Sequence, residues 1–101
     1  MRIIDLFSGA GGLTFGFYYR IKQNKFVRNR KNSFVFANEL DQFAAEAFKA
    51  NFPDIRMINE DIKQLDKDTI EQMIGEEPVD LIIGGPPCQS FSTVGQRVFD
   101  E

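Results

Sequence analysis

The residues best suited to covalent chemistry lie around the single cysteine. Cys88 follows Gly84-Gly85-Pro86-Pro87 and precedes Gln89-Ser90. A free cysteine is most often a small buried hydrophobe. Here two glycines and a stiff diproline hold it at the end of an apolar run, and the polar residues after it argue for exposure, so the thiol is a candidate nucleophile. A second group lies near the start, where Gly9, Gly11 and Gly12 follow the apolar run from Ile3 to Phe7. Such a turn lets the backbone approach a ligand closely, and the helix after it aims N–H groups at the same place. A plain tight turn would explain the same glycines. The dinucleotide fingerprint would want glycine at position 14, which is Thr14, and there is no Gly-Lys-Ser/Thr for a phosphate loop.

Two acids complete the set. Glu39 lies just past a β-rich run and can accept hydrogen bonds from the two hydroxyls of a ribose, or serve simply as an acid at a helix N-terminus. Asp61 can accept from an exocyclic amine beside the apolar Ile62, which suits a purine ring, or else cap the helix that follows. With no histidine in the chain, a Cys/His zinc cluster, a Ser-His-Asp triad and a Cys-His dyad are all excluded. One cysteine excludes an internal disulfide.

The elements that must position these residues alternate along the chain. Ile3–Phe7, Ser33–Asn38, Ile55–Ile58 and Val79–Ile83 read as strands, the last so apolar that burial on both faces is expected. Helices are expected from about Leu13 to Ile21, over Asp41–Asn51 before Phe52-Pro53-Asp54, and over Lys67–Ile74 before Gly75, with a short helical turn after Asp61. The six basic residues between Arg20 and Lys31, with no acid among them, read as a solvated helix end and loop. The order βαβαβαβ predicts an α/β fold, a partial doubly wound, Rossmann-like parallel sheet. Ligands then belong beyond the strand carboxyl ends, where the turns after the first and fourth strands meet.

Composition sets the outer bounds. The 101 residues suit one small domain or part of a larger one, and 43% apolar content with 11 Phe is enough for a packed core. A net charge of −3 lacks the basic excess of a self-sufficient nucleic-acid binder. Asp5 interrupts any signal-like apolar stretch and no 18 apolar residues run together, so a cytoplasmic protein without membrane contact is expected.

Taken in order, Asp5-Leu6-Phe7-Ser8-Gly9-Ala10-Gly11-Gly12-Leu13, Asn38-Glu39-Leu40-Asp41, Glu60-Asp61-Ile62 and Gly85-Pro86-Pro87-Cys88-Gln89-Ser90-Phe91-Ser92 resemble the first four motifs of the cytosine-5 DNA methyltransferases. The resemblance implies an S-adenosylmethionine-dependent methyltransferase fold. Phe7 would lie against the cofactor, with Gly9, Ala10 and Gly12 near its methionine part. Glu39 would hold the ribose, Leu40 flank the adenine, Asp61 and Ile62 bind the adenine amine and face, and Gly85 and Pro87 border the cofactor beside Cys88. Ser92, Gly95 and Gln96 resemble the segment that closes over DNA.

The implied activity is methyl transfer to C5 of cytosine in double-stranded DNA through a covalent Cys88 adduct, of restriction-modification type, in a bacterial, nucleoid-associated setting and without a metal. The family's Glu-Asn-Val and Gln-x-Arg-x-Arg elements, its target-recognition region and its C-terminal helix have no counterpart here. Residues 1–101 are therefore expected to be the N-terminal portion of the catalytic domain, inactive alone and prone to self-association through an open sheet edge. A tRNA-directed relative and a non-catalytic adenosine-ligand or interaction module are the alternatives.

Overall fold

The computed structural model describes residues 1–85. A four-stranded parallel sheet forms its centre, built from β1 (Arg2–Leu6), β4 (Ser33–Asn38), β5 (Met57–Ile58) and β6 (Leu81–Gly84). Between them lie α1 (Gly12–Tyr18), a hairpin of β2 (Tyr19–Lys22) and β3 (Lys25–Arg28), α2 (Gln42–Asn51), a 3-10 turn (Ile62–Gln64) and α3 (Lys67–Ile74). The sheet order is β5-β4-β1-β6, and every pair in it is parallel. Successive connections move outward from β1 through β4 to β5 and then return to the other side of β1. That reversal puts a crevice at the carboxyl ends, where Leu6 is in register with Asn38 on one side and Gly84 on the other.

The core explains which expectations hold. Ala37, Phe48, Phe52 and Ile55 form a buried cluster under Tyr18, Tyr19, Phe34 and Met57. Each buried phenylalanine contributes about 1.5–3 kcal/mol from the apolar surface it removes from water. Helix α2 starts at the expected place because the Asp41 carboxylate accepts from the Ala44 N–H at 2.8 Å, and it buries Ala45 and Phe48 on one face. Helix α3 spans the expected residues, capped by Asp66 and ended at Gly75, whose φ is 70°.

Two expectations are corrected. The first helix stops at Tyr18, and the segment read as helix end and loop forms an antiparallel hairpin with Tyr19 opposite Arg28 and Lys22 opposite Lys25. Its two-residue turn, Gln23-Asn24, has φ values of 52° and 63°, both positive as the tight hairpin turn demands. The strand expected at Val79–Ile83 forms at Leu81–Gly84 and is not buried on both faces, since Ile82 is 61% exposed. It is an edge strand of the described sheet, with β1 as its neighbour.

Candidate functional site

The glycine turn begins with a backbone reversal. Phe7, at the exit of β1, has φ 55°, Gly9 58° and Gly11 103°. The left-handed region costs a non-glycine residue about 1–2 kcal/mol, so Phe7 carries strain where the strand opens into the turn. The glycines divide by what surrounds them. A Cβ at Gly11 would lie 2.4 Å from the Phe52 ring, so this glycine is demanded by packing as well as by φ. A Cβ at Gly9 or Gly12 would meet nothing within 4 Å. Space therefore lies open above the two glycines that the resemblance assigns to a ligand, and closed above the one it does not.

Glu39 stands at the edge of this space. Its Oε1 accepts from the Gly9 N–H at 2.7 Å and its Oε2 from the Asp41 N–H at 2.8 Å, so one carboxylate ties the turn to the start of α2. Each oxygen keeps a lone pair for a hydroxyl. Leu40 is 65% exposed beside it. Two amides that the sequence analysis did not single out hold these strand ends in place. Asn59 Nδ2 donates to the carbonyls of Glu39 and Leu40, and the buried Asn38 Nδ2 donates to those of Ile58 and Glu60. The second amide fixes the chain just before Asp61, whose side chain accepts from the Lys63 N–H at 2.9 Å. The capping role weighed for Asp61 is thus present, and it engages one carboxylate oxygen, the other having no hydrogen-bond partner among the described residues. A polar residue closing the apolar run Phe34–Ala37 was the available signal for Asn38.

Beneath the turn, Asp5 and Thr14 are wholly buried, and the Thr14 hydroxyl donates to Asp5 Oδ2 at 2.5 Å. Asp5 Oδ1 has no partner among the described residues. Burial pushes the Asp5 carboxyl above its ordinary value; the Thr14 hydrogen bond partly offsets this and the nearby Glu39 charge adds to it. On the other strand, Gly85 lies beside Phe7, 3.9 Å separating its Cβ position from the Phe7 carbonyl oxygen. The structure thus brings Phe7, Gly9, Glu39 and Gly85 to one crevice, with Ala10 and Gly12 exposed on the turn and Asp61 and Ile62 at the end of β5. Pro87 and Cys88, and the segment holding Ser92, Gly95 and Gln96, lie outside the described residues. A concavity of about 520 Å³ is lined by Ala10, Gly11 and Gly12 of the turn with Phe15, Tyr19, Asn51 and Phe52, so it takes in Ala10 and Gly12 from the predicted cofactor set and none of the residues assigned to the adenosine part.

The family model for C-5 cytosine-specific DNA methylases matches residues 1–101. The chain belongs to that family. It is 40% identical over 103 residues to the type II methyltransferase M.AgeI of Thalassovita gelatinovora, covering all of this chain and 22% of the relative. It is 37% identical to M1.HphI of Haemophilus parahaemolyticus, over 92% of this chain and 22% of that one. Among solved structures, a DNA modification methyltransferase encoded within a prophage (E. coli) superposes with a TM-score of 0.68 at 36% identity, covering 88% of this chain and 23% of the other. The chain thus spans about a fifth of the length of these curated relatives. The α/β fold with its parallel sheet is that of a methyltransferase of this family. No described helix is long and apolar enough to cross a membrane, and no cluster of three or more potential metal ligands occurs among the described residues.

Proposed function

We propose that this chain is the cofactor-binding N-terminal portion of a restriction-modification DNA cytosine-5 methyltransferase, with S-adenosylmethionine as methyl donor and Cys88 as nucleophile. The observation that supports it most is the open space over Gly9 and Gly12 beside a carboxylate anchored to the same turn. Those residues fit an adenosine-bearing ligand. Glu39 would accept from the ribose hydroxyls, Asp61 from the adenine amine, Leu40 and Ile62 would flank the ring, and Phe7, Ala10, Gly85 and Pro87 would border the methionine and sulfonium end. When bound, S-adenosylmethionine supplies an electrophilic methyl group on a positively charged sulfur.

The protein's part is to make cytosine C5 reactive. The cytosine leaves the duplex stack at a cost of a few kcal/mol, offset by contacts in the pocket. The Cys88 thiolate adds to C6, and the electron pair displaced from the C5–C6 bond gives C5 the nucleophilicity of an enamine carbon. After methylation a base removes the C5 proton, the C5–C6 bond reforms and the thiolate departs. A tRNA substrate would use the same steps.

Two measurements test this. Calorimetry should show S-adenosylmethionine binding to the chain, weakened about tenfold or more in Glu39→Ala, the loss expected of charge-assisted hydrogen bonds. Mixing the chain with a polypeptide supplying the remaining family motifs should transfer tritium from labelled S-adenosylmethionine to duplex DNA in preference to tRNA. Label undiminished by Cys88→Ala would overturn the nucleophile assignment.

A further inference from the structure

We propose that Asp5 and Thr14 form a buried positioning pair that sets the geometry of the glycine turn beneath the cofactor, an inference that rests on the cofactor site proposed above. Their hydrogen bond joins the penultimate residue of β1 to the first turn of α1, so it closes the base of the segment carrying all three positive-φ residues of the turn. Both side chains are 0% exposed, so neither can touch a ligand in the crevice. Within the turn itself the other fastenings are backbone bonds from Ser8 N to the Asn38 carbonyl and from Gly11 N to the Ser8 carbonyl, the Glu39 bond to Gly9, and two long side-chain bonds, from Ser8 Oγ to the Gly9 carbonyl at 3.4 Å and from Asn51 Nδ2 to the Ala10 carbonyl at 3.5 Å. None of them ties the turn to the first turn of α1 through buried side chains.

The pair also accounts for Thr14. A glycine here would let a helix settle closer to its strand, as in the dinucleotide fingerprint. Threonine fills that space and supplies a directional bond in its place. The choice of a carboxylate as its acceptor is costly, because Asp5 Oδ1 is buried without a donor among the described residues. Two packed aliphatic residues would hold the helix without that cost, but they would not fix its rotation about the strand as a hydrogen bond of defined direction does.

The test uses the chain itself with Thr14→Val, which keeps the shape and removes the hydroxyl, and Thr14→Ser, which restores it. Nitrogen-15 NMR of the ligand-free protein reads the amides of Gly9, Gly11 and Gly12, and calorimetry reads S-adenosylmethionine affinity. Thr14→Val should shift those amide resonances and weaken binding about tenfold, the equivalent of one hydrogen bond's worth of misplacement, and Thr14→Ser should bring both back toward wild type. Unmoved glycine resonances in Thr14→Val, or a Thr14→Ser variant as defective as Thr14→Val, would overturn the proposal. If Thr14→Val does not fold, Thr14→Ala takes its place under the same criteria. A wild-type chain that binds no S-adenosylmethionine would refute the cofactor assignment while leaving the glycine amides to decide this one.

Discussion

Asp5 holds a carboxyl group where water does not reach, and its raised affinity for a proton makes a pH prediction with a definite sign. In the unfolded chain the group ionises near 3.8; in the folded chain it does so at higher pH, mainly because burial disfavours the charge. Folding therefore takes up a proton between the two values. The contribution of Asp5 to stability is full below the unfolded value and is lost as pH rises through the folded one. Asp5→Asn should consequently gain stability relative to wild type as pH rises across that window and hold the gain above it, measured by urea denaturation at a series of pH values. A difference independent of pH would refute the assignment. Glu39 offers a complementary test. Both its oxygens accept from backbone N–H groups, and an amide can accept with only one atom, so Glu39→Gln should lose about 1 kcal/mol even without ligand.

At the scale of the elements, α2 depends on the residue that caps it, Asp41. Removing the Asp41 side chain by Asp41→Ala should cost about 1 kcal/mol in thermal or denaturant unfolding. Gly11→Ala should cost more, roughly 2–5 kcal/mol, since the added methyl meets the Phe52 ring in a backbone region alanine avoids. The helices were legible in the sequence where helical content met a clear stop, as over Asp41–Asn51 before Phe52-Pro53-Asp54 and over Lys67–Ile74 before Gly75, while the caps Asp41 and Asp66 were found only in the structure. The hairpin was harder to see because its turn is Gln23-Asn24, without the glycine that usually marks two consecutive positive φ values. The alternation Tyr19-Arg20-Ile21-Lys22 was the period-two signal, masked by the basic residues around it. The exposure of Ile82 could not be inferred from an apolar run, because apolarity does not say which neighbours are present. At the site, glycines and acids could be located along the chain, whereas the Asp5 to Thr14 bond and the Asn38 and Asn59 anchors depend on which loops the sheet order brings together.

At the scale of the molecule, the order of the described sheet has β5 and β6 as its outer strands, one of two residues and the other with an exposed isoleucine. Unsatisfied strand edges of this kind recruit further strands. Light scattering across a concentration series should show dimers or larger species of the chain, and a strict monomer would contradict this.

Phe7 has a wider consequence. Its backbone sits in a region that glycine occupies freely, so Phe7→Gly should relieve about 1–2 kcal/mol of strain, set against the greater unfolded-state freedom of glycine and the loss of a half-buried ring. The exchange should leave the melting temperature nearly unchanged while removing the ring that the proposed cofactor site sets against its ligand. Sorting variants by thermal tolerance alone would then retain chains that have gone blind to their ligand, and only a selection that rewards occupancy would keep the benzyl group.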